Sequence, residues 1–317
     1  MPAHVPGKAT ATLLGLALVA GAAGATISAR SATAEAERVE RAELAAASTD
    51  LARELAQLRA VVAAPTHDAQ QTTAALQVLT AEAITGSDRD PAAVAADIER
   101  QAALLRDQAD RIEEAAAVPM PDRPDALPVA DVDPLFARID PLEDQLLDLA
   151  EDLRASADAV TELGAVAAGL HGAAADYAAT VDAMPEGDDP DVHATAWRNE
   201  RSRLADYRAA VEQAASFPGI EDLAAAHAEL LDALDAFADE SLAALEAGDV
   251  DGYNARVAAG VGDDVLATWR SGLEAGAETA LESPAILQLD RSRALALGVV
   301  KELDNVRRSS NSALAVG

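Results

Sequence analysis

Between Asp133 and Met184 the apolar residues fall on two interleaved rows seven apart. Leu135, Leu142, Leu149, Leu163, Leu170 and Tyr177 make the first, and Ile139, Leu146, Leu153, Val160 and Val181 the second. Ser156 interrupts the first row, while Ala167 and Ala174 continue the second. Alternating steps of three and four describe a stripe along one side of a helix that must be buried against other helices. The spacing predicts a helix over 134–184, about 65 Å long in its uninterrupted part at 1.5 Å per residue. Asp133-Pro134 and Asp140-Pro141 each read as an N-cap followed by proline, so the helix either starts at Pro141 or carries a short first segment that kinks there. Gly164, Gly169 and Gly172 are its weak stretch, and a hairpin at Gly-Leu-His-Gly is the rival to continuity. The stripe keeps its phase across them, which favours one helix.

The remaining pattern is helical throughout. Residues 30–118 form an N-terminal helical segment. Its first helix carries Leu44, Leu51, Leu55, Leu58 and Val62 and is expected to stop at Pro65; a second, over 67–84, is closed by Gly86; a third starts at Asp90-Pro91 and carries the seam Ile98, Ala102, Leu105, Ala109 and Ile112. Residues 119–133 hold four prolines and read as an extended linker. The main bundle, 134–317, continues with a helix from about Val192 to Ser216, a break at Phe217-Pro218-Gly219, and a helix over 220–247. A short helix capped by Asp249 and one capped by Asp263 follow, and the last opens at Ser283-Pro284. In that last helix Lys301, Arg307 and Arg308 are placed where cations favour a C-terminus. No alternating run of Val, Ile and Thr predicts a strand. The expected fold is all-α: an elongated antiparallel helical bundle, coiled-coil-like, preceded by an export segment.

That segment follows a short n-region, 1–8, and covers 9–29. It carries no charge, and as a helix it reaches about 31 Å, enough for a bilayer core. It also reads as a signal peptide, with an apolar centre from Leu13 to Ala20 and small-residue cleavage sites at Ala23-Gly24-Ala25 and Ala32-Thr33-Ala34. Either way the rest of the chain is carried outside the cytoplasm, anchored to the membrane or secreted. Arg30, Arg38 and Arg41 follow the segment and only Lys8 precedes it, the reverse of the usual inside-positive arrangement.

Composition adjusts this picture in three ways. Aromatics are 3% and Ala dominates the apolar half, so helices must approach closely instead of interlocking large side chains. The net charge of −31, with Lys8 and Lys301 the only lysines, leaves no clustered basic face, and nucleic acid is excluded as a partner. With no cysteine, disulfides, thiolate metal sites and cysteine nucleophiles are excluded too.

Candidate chemistry is sparse. The five histidines, His4, His67, His171, His193 and His227, do not form Glu-x-x-His or His-Glu-x-x-His patterns, so no metal ligand set and no cofactor are expected. His227 alone lies in an apolar seam. Asp144, Asp148 and Asp152 share one helical face, which reads as solvated. No Gly-x-Ser-x-Gly, Walker or dinucleotide loop occurs. The expectation is a non-enzymatic helical bundle, extracytoplasmic and acting through a protein or cell-envelope partner. The alternative is a small-ligand binder whose pocket would be lined by Trp197, His227 and Trp269. An N-terminal membrane segment with an all-helical outer domain resembles the ligand-sensing bundles of bacterial receptors in plan alone, and no site residue transfers.

Overall fold

The computed structural model describes the backbone of residues 9–185 and 189–314 and the side chains of 34–130, 132–185 and 189–310. Every regular element in it is an α-helix: α1 Ala9–Thr85, α2 Pro91–Ala116, α3 Val129–Ile139, α4 Leu142–Asp182, α5 Pro190–Ala215, α6 Glu221–Glu246, α7 Val250–Ala259, α8 Asp263–Ala280 and α9 Pro284–Leu314. The all-α expectation is met. The n-region 1–8 lies outside the described residues, as do the side chains of the apolar stretch 9–29. Among the described residues no helix is long and apolar enough to cross a membrane.

Two compact units are present, neither contiguous in sequence. One gathers Met1–Arg59, Pro119–Pro141 and Asp304–Gly317; the other gathers Ala60–Val118 and Leu142–Leu303. The first has a small core of Leu51, Leu55, Val132, Leu135, Phe136, Ile139 and Val306. Arg123 lies 5.2 Å from the Phe136 ring centroid and pairs with Asp133 at 2.6 Å.

In the second unit the pairing of residues gives the helix directions. Arg106 meets Asp158 while Arg154 meets Asp110, so α2 and α4 run antiparallel. Arg198 meets Glu246, Arg201 meets Asp239 and Arg208 meets Asp232, so α5 and α6 do the same. Asp152 meets Gln288 and Ser156 meets Ser292, four residues on along both helices, so α4 and α9 run parallel. That last bond, 2.7 Å between two buried hydroxyls, explains the polar interruption in the α4 stripe: Ser156 bonds across the interface. On α8, Gly272 and Gly276 lie against Ala226 and Leu223 of α6; a Cβ on Gly276 would come within 2.7 Å of Leu223 backbone atoms. Small residues thus set the interhelical distance, as an alanine-rich composition requires.

Several expectations are corrected. Pro65 does not stop α1, which continues to Thr85 and closes at Gly86, whose φ is 75°. A proline inside a helix costs about 3 kcal/mol. Here Pro65 is itself buried, between Val62 and Leu76, and each large apolar residue so buried returns about 1.5 to 3 kcal/mol. The segment 134–184 is two helices, α3 and α4, parted at Asp140-Pro141, and the linker ends at Pro128 because α3 begins at Val129. Pro134 therefore lies inside α3. Gly262, at φ 94°, precedes α8 in place of an Asp263 cap. Because α9 runs to Leu314, Lys301, Arg307 and Arg308 do not occupy its last turn. The stripe also ends before Val181, which is 40% exposed.

Across the glycines α4 is unbroken, 41 residues or about 60 Å. Three interior glycines cost about 1 kcal/mol each relative to Ala. Burial of Leu163, Leu170 and Tyr177 on both sides of them outweighs that cost.

Candidate functional site

One group of polar side chains in the second unit converges where α4, α5, α6 and α8 meet. Continuity of α4 is what carries Tyr177 and His171 there. Along α5 the stripe Trp197, Glu200, Leu204, Tyr207 and Val211 turns one face inward, and Glu200 occupies a stripe position that an apolar residue would normally hold. His227 comes from the inward face of α6, and Trp269 from α8.

The Tyr177 hydroxyl donates to Glu200 Oε1, and the Tyr207 hydroxyl bonds to His227 Nδ1. The two tyrosine rings stack at 6.1 Å. His227 meets His171 edge-on at 6.2 Å and Trp269 at 6.1 Å. His171 in turn places Nε2 3.1 Å from the carbonyl oxygen of Ile84. A carbonyl only accepts, so Nε2 of His171 carries the proton and closes one of the free carbonyls of the last turn of α1. A chain of polar side chains thus runs from Glu200 through two tyrosines and two histidines to the end of α1.

Burial sets the charge states. Glu200 is 0% exposed, and the desolvation of its carboxylate raises its pKa above the ordinary value; the Tyr177 hydrogen bond opposes that shift without cancelling it. His227, 1% exposed, is pushed down to about 4 by burial and secondarily by His171, so it is neutral at pH 7. Burial raises both tyrosines, which remain protonated donors. Glu200 Oε2, His227 Nε2 and Trp269 Nε1 have no hydrogen-bond partner among the described residues. Glu200, Tyr207 and His227 are sealed from solvent, and the cluster orders four helices, while His171 and Trp269 at its edges are half-buried.

The three residues expected to line a pocket are divided. His227 and Trp269 are neighbours. Trp197 lies three turns earlier on α5, edge-on to Phe237 at 5.4 Å, with its indole N–H donating to Tyr253 at 3.3 Å. Tyr253 also shares a 3.1 Å bond with His193 Nδ1. Trp269 lines a cleft of 210 Å³ with Leu230, Val265 and Thr268, below the usual range of ligand pockets, roughly 300 to 1,000 Å³. His171 lines another of 230 Å³ beside Arg89 and Gly86.

Sequence reasoning missed Glu200, although a carboxylate inside a three-four apolar row is a legible signal. It placed Tyr177 in the buried stripe of the central helix, where its ring stacks on that of Tyr207. Of the aspartate face on α4, Asp144 and Asp148 are exposed as expected, while Asp152 is mostly buried and held by Arg291 at 3.1 Å. Among the described residues no group of three or more acidic, histidine or cysteine side chains is placed to hold a metal ion. Comparison with protein-family models, curated proteins and solved structures finds no match to this chain.

Proposed function

We propose that this chain is a non-enzymatic helical-bundle protein, exported by its N-terminal apolar segment, membrane-anchored or secreted, that works through contacts with a protein or cell-envelope partner. The observation that carries this reading is the packing of the candidate residues. Trp197 is engaged by Phe237 and Tyr253, His227 by Tyr207, and Glu200, Tyr207 and His227 are closed to solvent. The interior is occupied with holding helices together, which leaves the surface to act. The uncharged stretch 9–29 supports export.

The second reading, a small-ligand binder, is favoured by the cleft at Trp269 next to His227. Export is tested in the native host. Protease added to spheroplasts is expected to digest the chain beyond Glu35; full protection behind intact membranes would reverse the topology and remove the proposal.

A further inference from the structure

A second cleft, away from the buried cluster, has the size and the chemistry of a ligand site. It is an open cleft of 470 Å³, inside the usual range for small-molecule pockets. Its base is α4, where Ala155, Ala159 and Val166 turn small or apolar side chains to one side and Glu162 stands among them. Its walls are the α5–α6 turn, with Phe217 and Pro218, and the start of α9 at Pro284.

Those walls are rigid for a physical reason. Gly219 has φ 95°, a conformation that favours glycine, and a Cβ there would come within 2.5 Å of Ser283 Cβ. The two turns are therefore locked against each other, each stiffened by a proline. Phe217 N–H donates to the Ala214 carbonyl at 3.0 Å, which holds the backbone of the turn, and Phe217 lines the cleft. The space exists because α4 carries alanines at this face and the turns on either side cannot collapse onto it.

The charge of the cleft is set by one residue. Glu162 is the only ionisable group in its lining, and it has no ion-pair or hydrogen-bond partner among the described residues. The C-terminus of α5 and the N-terminus of α9 both open here, so their opposite dipoles offset each other and leave the carboxylate to decide. In another cleft of comparable size, 540 Å³, the two charged groups, Glu240 and Arg256, pair with each other. A hollow of alanines, Val166 and one aromatic wall, with the uncharged Gln213, Ser216 and Gln288 at its edges and one unpaired carboxylate, fits a compact organic cation. We propose that this cleft binds a small organic cation of the quaternary ammonium class, with Glu162 as counter-charge and Phe217 as the ring it packs against. The site is separate from the Trp197, His227 and Trp269 residues and goes beyond the surface-contact reading above.

The chain has three phenylalanines, Phe136, Phe217 and Phe237, which makes fluorine NMR of the full-length chain, labelled with 4-fluorophenylalanine and held in a non-ionic detergent, a direct test. Tetraethylammonium is the probe. It is expected to move the Phe217 resonance saturably while leaving those of Phe136 and Phe237 in place, and potassium at equal ionic strength is expected to move none. Glu162→Gln, an exposed change that leaves the fold intact, is expected to weaken the apparent Kd at least about fivefold. Ala155→Leu, also at an exposed helical position, is expected to fill the cleft and abolish the shift. If the Phe217 resonance does not saturate, if all three resonances move together, or if Glu162→Gln titrates like the natural chain, the proposal is overturned.

Discussion

Alanine introduced at two glycines of this protein is expected to act with opposite signs. Gly276 of α8 faces Leu223 of α6 so closely that a Cβ would lie 2.7 Å from both Cα and N of that residue. Backbone cannot rotate aside, so α8 must shift, and Gly272, with a corresponding 2.9 Å approach to Ala226, would be carried with it. Overpacking of this kind costs about 1 to 3 kcal/mol. The helix-propensity gain from Gly to Ala returns about 1 kcal/mol, leaving a net loss of up to roughly 2 kcal/mol. Gly172 in α4 has nothing within 4 Å of a built Cβ, so Gly172→Ala keeps only the gain. At about 2 to 4 °C per kcal/mol for a unit of this size, Gly276→Ala is expected to lower the melting temperature by up to about 8 °C. Gly172→Ala is expected to raise it by about 1 to 4 °C. Trp197 and Trp269, the only two tryptophans, both belong to the second unit, so tryptophan fluorescence follows its melting. A higher melting temperature for Gly276→Ala would refute the close approach of α6 and α8, and a lower one for Gly172→Ala would refute the open environment on α4.

Other outcomes follow from the same structure. Leu149→Ala and Leu163→Ala, both fully buried, are each expected to cost about 2 to 5 kcal/mol in urea unfolding, and Glu151→Ala and Glu162→Ala, both exposed, to stay within about 0.5 kcal/mol. His227 binds its proton less readily when folded, at about 4 against 6.5, so its contribution to stability is complete above pH 6.5 and is lost as pH falls toward 4. His227→Gln keeps an acceptor for Tyr207 and does not titrate, so its urea midpoint is expected to fall less than the natural chain's across that window; parallel curves would count against a neutral buried imidazole. Glu200 has the opposite sign: its folded pKa is raised, so its stabilising contribution is present below its ordinary value of 4.5 and is lost as pH rises through the folded pKa. Glu200→Gln is therefore expected to match the natural chain near pH 4 and to exceed it increasingly toward pH 8, and a deficit at pH 8 would refute the desolvation argument.

Much of the architecture was legible because it rests on period. The rows through Leu142 to Tyr177, the seam from Ile98 to Ile112 and the proline starts at Asp90-Pro91 and Ser283-Pro284 are local signals, and all of them appear as helices or helix boundaries. Pro65 misled because a propensity of about 3 kcal/mol was weighed without knowing that both flanks would be buried. The last turn of α9 misled because no glycine or proline marks its end. The candidate site was legible only in part. His227 declared itself as a histidine in an apolar seam, and Glu200 carried the same kind of signal. The separation of Trp197 from Trp269 depends on how α6 is shared between α5 and α8, a tertiary relation that spacing along one helix does not encode. The cleft at Glu162 is less legible still, since it is built from two turns and one helix face.

The account depends most on α4 running unbroken through Gly164, Gly169 and Gly172, because that continuity places His171 and Tyr177 in the buried cluster. The chain has no cysteine, so Glu151→Cys with Asp176→Cys gives two specific spin-label sites, both exposed and on nearly the same side of the helix. Twenty-five steps of about 1.5 Å each separate them, and pulsed electron resonance is expected to give one narrow distance distribution centred near 38 Å. A broad distribution, or one centred well below about 30 Å, would mean that the helix turns back at Gly-Leu-His-Gly and that the cluster is not assembled as described.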